Sequence, residues 1–124
     1  GTITPVLTFG GSNVGMAYSV QYGRKTKIGQ YWHVEVSITL TAKGTSTGYA
    51  QISGLPASAN VPFNPAISIG NISGMTGLTG TVSGFIASNT GIVNLFQTGS
   101  TGVSYLTDSV FTNTSNIQFN LVYQ

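Results

Sequence analysis

Seven side chains in this chain could carry acid–base or charge-based chemistry: Glu35, Asp108, His33, Arg24, Lys25, Lys27 and Lys43. A glycosidase needs two carboxyl groups roughly 5–10 Å apart across the sugar, and the one available pair is Glu35 with Asp108. Glu35 lies in the middle of a strand-patterned run, and Asp108 follows Leu106-Thr107 at a strand end or turn. No sequence feature draws them together. Asp108 reads more simply as an Asx-type turn residue bonded to nearby backbone amides. A Ser–His–Asp triad would have to use His33, and no segment has the helical periodicity that a strand–turn–helix nucleophile elbow requires. One histidine and no cysteine exclude the usual zinc ligand sets, and no calcium-loop pattern is present. The expectation is a protein without catalytic residues, metal or cofactor.

Sugar binding suits the remaining residues better. Sugars are held by aromatic faces, which cover their C–H patches, and by hydrogen-bonding side chains around the rim. Tyr31, His33 and Glu35 occur at alternate positions and share one strand face with Ser37, Thr39 and Thr41. That stripe could line a glycan groove, form an interface between copies of the chain, or be a solvated sheet face. Arg24, Lys25 and Lys27 form the one cationic cluster, flanked by Gly23 and Gly29 in what reads as a hairpin or short strand. They would attract acidic polysaccharide or phosphate groups, or else form a solvated turn that blocks edge pairing. Tyr105 is a further glycan candidate, with Tyr49 and the Thr112–Asn116 loop behind it. Trp32 falls on the core parity and reads as a packing residue.

The elements that must position these residues are strands. From Tyr31 to Ala42, Trp32, Val34, Val36, Ile38, Leu40 and Ala42 alternate with the polar stripe. Twelve residues of strict alternation, rich in β-branched types, specify a long strand with one buried face. Ile117, Phe119, Leu121 and Tyr123 repeat the pattern in a closing strand. Weaker period-two stretches occupy Val6–Phe9, Tyr18–Tyr22, Tyr49–Ile52, Ala66–Ile72, Thr81–Ile86, Ile92–Phe96 and Val103–Leu106, separated by Gly/Asn/Ser/Thr clusters suited to turns. The segment from Gly54 to Pro65, with three of the four prolines, reads as a long ordered loop. Eight or nine short strands at this spacing predict an all-β antiparallel sandwich or barrel.

Composition supports that frame and removes other functions. The 124 residues imply one domain, 1–124, with a core large enough to need no disulfide staples. Only 5% of residues are charged, against roughly 25% in an ordinary soluble domain. Gly, Thr, Ser and Asn together supply 57 residues instead. A net charge of +2 is too small to neutralise a run of phosphates, which argues against nucleic acid as a partner. No apolar stretch approaches the ~20 residues of a membrane helix, so no membrane insertion is expected. The N-terminus carries no secretory pattern and reads as a segment cut from a longer chain.

Several blocks, taken in order, resemble a known module. They are Thr4-Pro5-Val6-Leu7-Thr8-Phe9-Gly10-Gly11, Tyr18-Ser19-Val20-Gln21-Tyr22-Gly23, Thr26-Lys27-Ile28-Gly29, Ile38 through Gly44, Ser46-Thr47-Gly48 leading to Ile52-Ser53-Gly54-Leu55-Pro56, and Leu106-Thr107-Asp108 with Phe111. This series resembles the C-terminal module of tailed-bacteriophage tail fibres and tailspikes, with Ile3 and Lys25 standing where that family often has aromatic residues. The resemblance implies a jelly-roll-like β-sandwich assembled as a homotrimer at the tip of a fibre or spike in the virion. It also implies synthesis in the bacterial host cytoplasm, and partners among bacterial surface polysaccharide or lipopolysaccharide. It makes Lys25 a position that varies with the host. Attachment, a ligand-free assembly cap and a glycan-degrading domain are the three functions it leaves open, in that order.

Overall fold

The computed structural model describes all residues 1–124. In chain order the strands are β1 (Thr2–Ile3), β2 (Val6–Phe9), β3 (Ala17–Ile28), β4 (Tyr31–Ala42), β5 (Ala50–Ser53), β6 (Ser68–Ser73), β7 (Thr81–Ile86), β8 (Val93–Gly99), β9 (Gly102–Tyr105) and β10 (Asn116–Tyr123). A single 3₁₀ turn, Asp108–Val110, precedes β10. The strands form two antiparallel sheets. One has the order β1-β3-β4-β10-β6, and the other β2-β5-β8-β7 with β9 also paired to β8. They face each other as a β-sandwich, the all-β class that the strand spacing predicts.

The alternation read from the sequence sets which side chains fill the space between the sheets. Val34, Val36, Ile38 and Leu40 of β4 and Ile117, Phe119, Leu121 and Tyr123 of β10 are buried from one side. Leu7 and Phe9 of β2, Ala50 and Ile52 of β5, Val82 and Ile86 of β7, and Val93 and Leu95 of β8 are buried from the other. Each fully buried Leu or Ile contributes roughly 1.5–3 kcal/mol relative to an exposed one. Phe9 and Phe111 meet with centroids 5.0 Å apart, tying the 3₁₀ turn to the second sheet's edge.

One local expectation is sharpened and another corrected. Arg24, Lys25 and Lys27 do lie in a hairpin, not in a short strand or its turn but along the twelve-residue β3, paired with β4 from Ala17↔Ala42 to Ile28↔Tyr31. The turn is Gly29-Gln30, and Gly29 has φ 62°, as the first central residue of a type II′ hairpin requires. β3 was illegible past Gly23 because most of it is exposed on both faces. No hydrophobic period marks such a strand, and its pairing with β4 fixes it instead. Asp108 is not a local Asx turn either. Its carboxylate accepts the Gly48 N–H at 3.0 Å, sixty residues away in sequence.

The segment between β5 and β6 is ordered, as its prolines suggest. Ser58 is buried and its hydroxyl donates to the Ala87 and Thr90 carbonyls. Ala59 N–H donates to the Gln124 carbonyl, and the Tyr123 hydroxyl donates to the Pro56 carbonyl at 2.7 Å. The loop therefore closes one end of the sandwich beside the Gly29-Gln30 turn.

Candidate functional site

The outward face of the first sheet carries the residues chosen from the polar stripe. Arg24 on β3 stands directly opposite Glu35 on β4, and Thr26 directly opposite His33. Antiparallel partners on one face lie close enough for their side chains to meet. Arg24 Nη2 donates to Glu35 Oε2 at 2.6 Å, and His33 Nε2 lies 4.0 Å from Glu35 Oε1. Glu35's hydrogen bond and charge, and more weakly Tyr22, hold the Arg24 guanidinium above its ordinary pKa. The four residues Arg24, Thr26, His33 and Glu35 line a wholly polar pocket of about 160 Å³.

The ion pair is 60% and 45% exposed at its two side chains. Such surface pairs add little to stability, so its geometry is better suited to presenting fixed donors and acceptors. Tyr31, two positions before His33 on the same strand, lies beside a second hollow of about 140 Å³ with Val61, Phe63, Pro65, Val122 and Tyr123. In the register β10 lies on the other side of β4, with Asn120 opposite Glu35 and Val122 opposite His33. One face thus offers a charged hydrogen-bonding pocket next to an apolar, tyrosine-lined one.

Of the six sequence candidates, Tyr31, His33, Glu35 and Arg24 share this face. Lys25 and Tyr105 do not. Lys25 follows Arg24 on an extended strand and so points to the opposite side, where its ammonium lies 5.6 Å from the Trp32 ring centroid. Trp32 packs against the core, as its parity requires, and its remaining side lines a cleft.

Tyr105 on β9 lies on the outward face of the second sheet. Its ring centroid is 5.6 Å from Tyr49 and 6.4 Å from both Phe85 and Phe96. Phe85 and Phe96 are 5.9 Å apart. Tyr49 and Tyr105 are 61% and 45% exposed, so this is a surface aromatic cluster and not core. Sequence reasoning passed over Phe85 and Phe96. Their signal was parity: Phe85 alternates with the buried Val82, Gly84 and Ile86, and Phe96 with Val93 and Leu95.

The two carboxylates do not share a site. Lys43, just past the end of β4, reaches the Asp108 backbone at 3.0 Å, while about 23 Å of strand separates Glu35 from Ala42. Gly44-Thr45-Ser46-Thr47-Gly48 has the letters of a nucleophile elbow, but it is a loop leading into β5, and Ser46 Oγ accepts the Val14 N–H. No group of three or more His, Cys, Asp or Glu side chains gathers anywhere in the chain. No helix is long and apolar enough to cross a membrane.

No family model matches this chain, and no curated protein does. Among solved structures it is similar to the crystal structure of the Dettilon tailspike protein (gp208), with a TM-score of 0.83. The chain shares its fold with part of a tailspike protein. The overlay covers 99% of this chain and 23% of the tailspike chain at 19% sequence identity. At that identity the likeness is one of fold, and it extends over nearly every element described above. This chain spans about a quarter of that tailspike's length.

Proposed function

We propose that this chain is a non-catalytic attachment module of a bacteriophage tail fibre or tailspike. It assembles as a homotrimer in the virion and holds a bacterial surface polysaccharide or lipopolysaccharide. The observation that carries the reading is the fold shared with a tailspike segment over 99% of the chain. The distribution of charge supports the division of labour between the two sheets. Every charged residue lies on β3, on β4, just after β4 or in the 3₁₀ turn. The second sheet carries none, and its outward face holds the Tyr49–Tyr105–Phe85–Phe96 cluster. Burying such a face between copies strands no charge, and aromatic residues are enriched where protein interfaces form. The face with Tyr31, His33, Glu35 and Arg24 is left for the glycan, with avidity from three copies.

Light scattering on the chain tests assembly, with an expected mass three times the 12.9 kDa protomer. Attachment is tested by retention of the labelled chain on immobilised capsular polysaccharides and lipopolysaccharides, with Glu35→Gln and Arg24→Gln expected to lower retention and leave the melting temperature unchanged. Undiminished retention in both variants removes the polar face from the reading. A verified trimer that no polysaccharide retains favours the ligand-free assembly cap, the alternative to which the uncharged aromatic face lends weight. Falling viscosity of a polysaccharide solution would overturn the non-catalytic assignment.

A further inference from the structure

The β3–β4 hairpin ends in a cationic cleft that is separate from the polar face. Lys27, Gly29, Gln30 and Trp32 line it from the hairpin, and Ala57, Ser58, Ala59 and Gln124 line it from the closing loop and the end of β10, around about 390 Å³. It is the largest hollow in the molecule. Lys27 Nζ lies 5.2 Å from the Trp32 ring centroid and Lys25 Nζ 5.6 Å. Neither ammonium has a carboxylate partner, because Glu35 is engaged by Arg24 and Asp108 is bonded to Gly48.

The rim is equipped for hydroxyl groups. Gln124 Nε2 donates to Gln30 Oε1 at 2.8 Å, and that bond leaves the Gln30 side-chain NH₂ and the Gln124 side-chain Oε1 without protein partners. A donor and an acceptor therefore share the cleft with the Lys27 ammonium, and the Lys25 ammonium lies near the same indole. Two cations on an indole are held there by the ring's negative face, and an arriving anion satisfies them better than the ring does.

We propose that this cleft binds an acidic sugar unit, its carboxylate on Lys27 with Lys25 beside the same indole reinforcing the positive charge, and its hydroxyls on Gln30 and Gln124. The inference rests on the attachment reading only for the choice of a saccharide. It assigns Lys25 and Lys27 to a different task from Arg24, although the three are almost adjacent in sequence.

Trp32 is the one tryptophan of the chain, so its fluorescence reports this cleft and no other. Titration with a galacturonate oligomer is expected to change the emission saturably, and a neutral malto-oligosaccharide of equal length is not. Lys25→Gln and Lys27→Gln should each weaken the response by about fivefold, the scale of an exposed ion pair, with circular dichroism confirming that both fold. On the unaltered chain, raising the salt from 50 to 300 mM should weaken it as well. An equal response to inorganic phosphate, an equal response to the neutral oligomer, or insensitivity to both lysine substitutions overturns the proposal. No fluorescence response while polysaccharide retention persists sinks this cleft alone and leaves attachment through the polar face standing.

Discussion

Lys43→Met is a direct test of how the end of the sandwich is held. The Lys43 ammonium donates to the Asp108 carbonyl at 3.0 Å and the Phe111 carbonyl at 3.1 Å, capping the 3₁₀ turn. Both contacts are part-buried, and Phe111 is itself a core residue whose ring packs at a tilt against Phe9. A hydrogen bond to a charged group is worth roughly 1.5–3 kcal/mol when buried. Discounting for partial exposure, and for the Phe111 N–H that the Asp108 carbonyl keeps, the loss comes to about 2 kcal/mol. Methionine retains the apolar stem, so the change isolates the ammonium. Near the melting point a chain of this length loses roughly 4 °C per kcal/mol. The expected fall in melting temperature is therefore about 8 °C, read by calorimetry at fixed protein concentration because an oligomer's melting point depends on it. The acceptors are carbonyls, not the Asp108 carboxylate, so most of the cost should persist in an Asp108→Asn background. A fall below about 2 °C refutes the capping argument, and a cost that vanishes with Asp108→Asn refutes the carbonyl assignment.

Two further outcomes follow from the same packing. Burial holds the Tyr123 hydroxyl well above the ordinary phenolic pKa, so the folded state keeps a proton that the unfolded state releases above about pH 10. Stability should fall as pH rises past that value, and chemical-denaturant midpoints between pH 8 and 11 should show a shallower decline in Tyr123→Phe. Gly48 has φ +125°, and a Cβ there would sit 2.6 Å from the Gly10 Cα. Gly48→Ala should thus cost about 3 kcal/mol or more from strain and overlap combined, seen as a melting temperature lower by more than 10 °C or as loss of soluble protein.

How far the fold could be read in advance depended on what each strand buries. β4 was legible to the residue, and β2 and β7 likewise, because one face of each is sequestered and the other wet. β3 was not, since Arg24, Lys25 and Lys27 interrupt any apolar period and the strand is held by its partner. Of the candidate sites, the Tyr31–His33–Glu35 stripe followed from parity alone. That Arg24 joins it while Lys25 leaves it needed the register Arg24↔Glu35 and Lys25↔Val34. The aromatic cluster needed pairing across the second sheet to bring Tyr49 and Tyr105 together with Phe85 and Phe96.

By itself the sequence determined the all-β class, the two faces of the longest strands and the scarcity of charge, because each is a property of local periodicity or composition. Only the tertiary structure decided where the few charges act. It paired Arg24 with Glu35, left Lys25 and Lys27 without a carboxylate on Trp32, bonded Asp108 to Gly48, and kept the second sheet free of charge. Those choices depend on strand register and on contacts between residues far apart in the chain. Register shifted by one residue would exchange the faces and undo all of them.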